Sequence, residues 1–175
     1  MQIEITNFQF VPRIPAEYSV NKLELNWREI AWAYYHKLFD AQTLADFFNV
    51  KLPDLQEAKF QKVDQHAVWV IEELLRKQVD NESEVSEERT MKKWLYIVLS
   101  FIFENKEDFS DPLQEVEKVY ADFGYPEEIK SFVKYMPPPE KQTISSTHSK
   151  QEAKERLFSK WQSYLDEQRR IFSEL

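Results

Sequence analysis

The chain has 175 residues, a net charge of −8, one glycine and no cysteine. Walker and dinucleotide phosphate loops need several glycines, while disulfides, thiolate catalysis and cysteine zinc sites need cysteine, so all of these are excluded. A helical protein with short polar loops is the default that remains, since tight hairpins also depend on glycine.

We predict that residues 1–24 form an N-terminal arm. Apolar side chains alternate over residues 3–11 but change phase at Asn7, which indicates either a short strand or an extended arm lying on the helical body. Pro12 and Pro15 end this segment. It lacks the basic start and apolar run of a signal peptide, so we expect a cytoplasmic protein.

Capping signals and apolar periodicity predict three helices before residue 80. Asn26, with Glu29 three residues later, has the spacing of a capping pair at the start of the first helix. The chain is expected to turn near Asp40 and to form a shorter helix that Pro53 ends. From Val63 onward, apolar residues recur at intervals of three and four, which predicts a third helix.

The most apolar stretch runs from Thr90 to Glu104. Its valine, isoleucine, tyrosine and phenylalanine content would allow a buried strand. We favour a helix, because the acidic lead-in suits a helix N-terminus and Ser83 or Ser86 could cap it. Since it is apolar on all sides, it is expected to be the central helix, and it is too short to cross a membrane.

A helix, a sharp turn and a second helix are predicted over 111–136. Asp111 can cap the first helix, and Pro112 suits its first position because the missing N–H would have no partner there. Gly124 stands where the helix needs a left-handed residue to end. Pro126 is expected to begin the second helix.

Three consecutive prolines open a segment, residues 137–148, that we predict to be a mobile loop. Ser149 and Glu152 then indicate the start of a C-terminal helix over 149–175. The whole chain, 1–175, is predicted to be a single all-α domain. We expect a compact bundle or orthogonal array of about six to seven helices, with a short strand or extended arm at the N-terminus.

No catalytic motif is present in the sequence. His36 and Asp40 have a spacing that could hold a metal on a helix, but no second histidine pair or carboxylate motif supports such a site. Adjacent carboxylates diverge on a helix, so they do not converge in a cleft for acid–base chemistry. We therefore predict a protein that is not an enzyme and has no metal or cofactor. The alternatives are a metal-dependent enzyme using a carboxylate and histidine cluster, and a helical adaptor or structural protein.

The negative charge is concentrated in the middle of the chain. Residues 1–79 carry 9 basic and 11 acidic residues, residues 80–128 carry 5 and 14, and residues 129–175 carry 9 and 6, which gives −2, −9 and +3. Such a field repels nucleic acid and anionic membranes and attracts basic proteins. The alternative is that the charge serves solubility only. The predicted partner-binding residues are Glu82, Glu84, Glu87, Glu88, Glu107, Asp108 and Asp111.

Two stretches, LNWREIAWAYYHKLFDAQTL (25–44) and VYADFGYPEEIKSFVKYMPP (119–138), resemble a family of uncharacterised bacterial proteins with a conserved domain of unknown function. The resemblance covers residues 25–138 and carries over no functional residue. Some small families of this kind lie beside polymorphic toxins and serve as immunity proteins. Together with the charge, the resemblance implies a cytosolic immunity protein that neutralises a basic toxin domain.

Overall fold

The computed structural model describes residues 7–55, 61–134 and 147–174, and within these ranges the protein is helical and has no strand. The predicted all-α array is confirmed. The α-helices are α1 (Ala16–Lys22), α2 (Trp27–Tyr35), α3 (Ala41–Lys51), α4 (Gln65–Asp80), α5 (Glu87–Glu104), α6 (Pro112–Asp122) and α7 (Thr147–Ser173). Two 3-10 turns, Lys106–Asp108 and Glu127–Phe132, follow α5 and α6.

Helix α5 is the centre of the core, as its composition predicts. Every residue from Trp94 to Ser100 is buried, and α1, α2, α6 and α7 all pack against this helix. Burying a large apolar side chain stabilises the fold by roughly 1.5–3 kcal/mol. The buried apolar residues of all seven helices form one cluster.

Local side-chain caps explain where most of the helices begin. Asn26 and Glu29 form a complete capping box at α2, and Asp111 caps α6 with Pro112 at its first position. Of the two serines proposed for α5, Ser86 is the cap. Asp64, which the sequence analysis did not assign as a cap, accepts the N–H of Ala67 at the start of α4.

The turn after α6 is left-handed at two successive residues rather than one. Gly124 has the predicted positive φ of 74°, and Tyr125 has a φ of 62°. The helix predicted after Pro126 is present, but it is the 3-10 helix Glu127–Phe132 and not an α-helix. With three residues per turn, a 3-10 helix places Ile129 and Phe132 on one side, and both are buried.

The predicted N-terminal arm is extended only in part. Helix α1 lies inside the 1–24 segment and was not predicted. It has only seven residues, and Pro15, the residue before it, provides no side-chain cap. Residues 7–11 are an irregular segment and not a strand, while residues 1–6 lie outside the described residues. The Phe8 ring is buried against Trp32 and Phe123.

The C-terminal helix begins earlier than predicted. Helix α7 starts at Thr147, two residues before Ser149, so Thr147 and His148 belong to the helix and not to the predicted loop. The rest of the 137–148 loop prediction falls outside the described residues. Trp161 of α7 is fully buried and stacks on Phe132 of the second 3-10 helix.

Candidate partner-binding surface

The predicted acidic residues form two groups at opposite ends of α5. The proximal acidic group consists of Glu82, Glu84, Glu87 and Glu88, around the N-terminus of the helix. The distal acidic group consists of Glu107, Asp108 and Asp111, beyond its C-terminus. Since α5 has 18 residues, the rise of an α-helix separates the two groups by about 26 Å.

Only part of the proximal group is free to meet a partner. Glu82 accepts the backbone N–H of Trp27 at 3.4 Å, and Glu87 accepts the indole N–H of Trp32 at 3.3 Å. The hydrogen bond from Lys92 to Glu88 lowers the pKa of this carboxyl group. Glu84 is exposed and has no ion pair within the described part of the chain.

The distal group likewise contains both a paired carboxylate and unpaired ones. Asp111 accepts the N–H of Gln114 at 3.3 Å as the cap of α6 and pairs with Lys134 at 3.0 Å. The hydrogen bond from Lys134 is the main cause that lowers the pKa of Asp111. Glu107 and Asp108 are exposed on a 3-10 turn, and neither has an ion pair among the residues that the structure describes.

A cleft of about 360 Å³ lies beside the proximal group, and its floor contains a buried ion pair that the sequence analysis missed. Glu29 is only 2% exposed and binds Lys93 of α5 at 2.8 Å. Lys93 also donates to the carbonyl of Glu24 at 3.0 Å. Because Glu29 also completes the capping box of α2, its carboxylate joins the start of one helix to the first turns of another.

A second cleft of about 540 Å³ lies between the start of α5 and the end of α7. Arg89 lines both clefts, and its guanidinium group lies 6.0 Å from the centre of the Phe172 ring. Lys92 and Glu128 also line the second cleft. Positive side chains are therefore present among the proximal acidic residues, so this end of α5 is mixed in charge.

The metal site considered for His36 and Asp40 does not have the helical geometry that it requires. His36 is the C-cap of α2, whereas Asp40 is the N-cap of α3 and pairs with Arg13 at 3.4 Å. No group of three or more histidine, aspartate and glutamate side chains that could hold a metal occurs in residues 7–55, 61–134 and 147–174.

Two partly buried tyrosines donate hydrogen bonds to carboxylates and have structural roles. Tyr18 bonds to Glu104 at 2.7 Å, and Tyr34 bonds to Glu72 at 2.8 Å. Burial, and then the hydrogen bond to the neighbouring carboxylate, raises the pKa of both phenols. Both side chains are therefore neutral donors at physiological pH.

Comparison with known proteins identifies the family. The family model described as an uncharacterized protein conserved in bacteria (DUF2247) matches residues 16–169, which is most of the chain. The chain belongs to this family. The resemblance inferred over 25–138 is thereby confirmed and extended to α1 and most of α7, whereas the family description does not mention toxin immunity.

No curated protein and no solved structure shows a significant similarity to the chain. Among the helices that the structure describes, none combines the length and the apolar character needed to cross a bilayer.

Proposed function

We propose that this protein is a non-enzymatic, cytosolic binding module that neutralises a basic toxin domain, as an immunity protein does. The observation that carries the proposal is the net charge of −9 over residues 80–128, against a net +1 for the rest of the chain. Glu84, Glu107 and Asp108 present carboxylates at the surface without an ion pair from the described residues. These are the side chains best placed to meet a cationic partner.

Surface charge of this kind acts mainly on the rate and selectivity of association. Complementary charges steer two proteins toward each other, and the effect declines with salt because screening acts over about 8 Å at physiological ionic strength. The two acidic groups lie at opposite ends of α5, about 26 Å apart along the helix axis.

The test is a charge reversal measured against the product of the neighbouring gene. The variant carries Glu84→Lys, Glu107→Lys and Asp108→Lys, the three carboxylates without an ion pair from the described residues. We expect slower association at low salt, a smaller difference between two salt concentrations, and loss of protection when that gene product is expressed in the same cells. Stopped-flow kinetics and a growth assay measure these effects.

A matched control separates the location of the charge from its amount. Glu17→Lys, Asp54→Lys and Asp166→Lys change the net charge equally at exposed positions outside the two acidic groups. The control should associate faster than the test variant. Equal rates for the two variants, or no salt dependence in the natural protein, would contradict the proposal and leave the acidity as a solubility feature.

A further inference from the structure

We infer that the partner surface continues from the proximal acidic group onto a corner formed by Phe10 and Tyr125, and that these two rings stack on arginine side chains of a basic protein partner. This inference rests on the proposed function and specifies which part of the molecule supplies the apolar contacts. Aromatic residues are enriched among the side chains that dominate binding energy at protein interfaces.

Both rings are exposed although the backbone that carries them is held firmly. Phe10 is 57% exposed and Tyr125 is 59% exposed. One carboxylate oxygen of Asp122 accepts the N–H groups of Gln9, Phe10 and Val11 at 3.1, 2.7 and 3.0 Å. This single side chain ties the N-terminal segment to the end of α6, three residues before Tyr125.

The backbone at Tyr125 is unusual for an aromatic residue. It has a φ of 62°, directly after Gly124 at 74°, and residues with a Cβ disfavour this left-handed region. The Tyr125 ring meets the Tyr120 ring edge-on, with centroids 5.2 Å apart and planes at 83°. A side chain held outward by such a backbone is pre-organised, so little conformational entropy is lost when it binds.

Contacts connect this corner to the proximal acidic group. Glu87 accepts the indole N–H of Trp32 at 3.3 Å, and the centroids of the Trp32 and Phe8 rings are 5.8 Å apart. Phe8 lies two residues before Phe10. On the other side, Glu128 follows Tyr125 by three residues and lines the same cleft as Glu88. The rings and the proximal carboxylates are therefore joined through neighbouring residues on both sides.

Charge selects a basic partner rather than a second copy of this chain. A second copy would also carry −8, and the like net charge of the two copies would oppose their association. Tyr125 is flanked by Glu127 and Glu128, which are both exposed. Arginine suits such a site better than lysine, because its planar guanidinium group stacks on an aromatic ring while it pairs with a carboxylate.

The test compares a short polyarginine peptide with polylysine of the same length as probes of the full chain. Tyr125→Gly and Phe10→Ser should each weaken polyarginine binding by about two- to fivefold, which is the range of an exposed cation–π contact. They should also reduce the preference for polyarginine over polylysine. Trp69→Ser is the matched control, because Trp69 is 62% exposed on α4 and should leave both affinities unchanged.

Thermal unfolding checks that the variants are folded, and Tyr125→Gly is favourable in this respect because glycine accepts the left-handed backbone. Unchanged polyarginine affinity in both aromatic variants would overturn the inference, as would concentration-dependent dimerisation that Tyr125→Gly abolishes. If the aromatic variants weaken binding but the Glu84, Glu107 and Asp108 reversal does not, the aromatic corner still binds arginine, but the charge-based proposal fails. If the charge reversal weakens binding but the aromatic variants do not, the acidic surface is retained and the aromatic corner is not part of it.

Discussion

Among single residues, Glu29 and Lys93 form a buried ion pair that joins α2 to α5. Glu29 is 2% exposed and is satisfied by the N–H of Asn26 and the ammonium group of Lys93. Removing one member of a buried pair is costly, since the remaining charge stays in a poorly hydrated place. The pair therefore stabilises the packing of α2 on α5 only when both members are present.

We predict that Lys93→Met lowers the free energy of unfolding by about 3 kcal/mol, at the lower end of the range for broken buried pairs because the lysine is partly accessible. Urea denaturation measures the change. The control is the double variant Glu29→Gln with Lys93→Met, in which glutamine keeps the reach of the capping box and removes the buried charge. A double variant no more stable than Lys93→Met would contradict this explanation.

Tyr125 shows how far a residue can depart from its local preference. The single glycine of the chain marks the end of α6, but no sequence signal marks the next residue as left-handed. The N–H of Tyr125 donates to the carbonyl of Tyr120 at 2.8 Å, which closes the helix end. This hydrogen bond and the Tyr120 ring contact keep Tyr125 in a conformation that its own sequence does not favour.

At the level of elements, the carboxylate of Asp122 supplies most of the hydrogen bonds that attach residues 7–11 to the helical body, beside the buried Phe8 ring. Asp122 accepts three backbone N–H groups. The carbonyl of His36 accepts the N–H of Phe8 at 2.9 Å. Backbone groups outside helices and sheets need such partners when they lie on a packed surface. The segment therefore keeps a defined path without regular secondary structure.

We predict that Asp122→Asn destabilises this attachment by about 2 kcal/mol, because hydrogen bonds to a charged acceptor are stronger than those to a neutral amide. The amides of Gln9, Phe10 and Val11 should exchange their hydrogens faster, which hydrogen-exchange mass spectrometry detects. Glu117→Gln removes a charge from the same helix and should leave these amides as protected as in the natural chain. Equal protection in both variants would mean that the Phe8 contacts alone hold the segment.

At the scale of the whole molecule, residues from all seven helices meet in one apolar cluster with α5 inside it. Helices α1 and α7, from distant parts of the chain, both pack on α5, and α7 also packs on residues Glu127–Phe132. A chain with one core is expected to unfold in one cooperative step. The single domain predicted for 1–175 can be tested on this basis.

We predict that helix content and tryptophan fluorescence are lost together in urea. The tryptophans sample different parts of the core, since Trp27 lies in α2, Trp94 in α5 and Trp161 in α7. Circular dichroism and fluorescence should therefore give the same midpoint. Replacing Trp161 with phenylalanine provides a control in which only the signal from α7 is removed. Separate midpoints would indicate two independently folding units.

The sequence by itself determined the features that depend on residues close together in the chain. The caps at Asn26 and Asp111, and the turn at Gly124, were predictable because each uses contacts within a few residues, whereas Ser83 and Ser86 remained alternatives for α5. The central position of α5 followed from its composition. The acidic groups could also be located from the sequence, since charge is a property of composition. Their ion pairs with Lys92 and Lys134 could not be predicted in the same way.

The contacts between distant segments became apparent only from the three-dimensional structure. Lys93 reaches Glu29 across 64 positions, and Asp122 reaches the N-terminal segment across 111 to 113. No local pattern in the sequence marks these two residues. Helix packing selects them, because burying the apolar faces brings particular polar groups together.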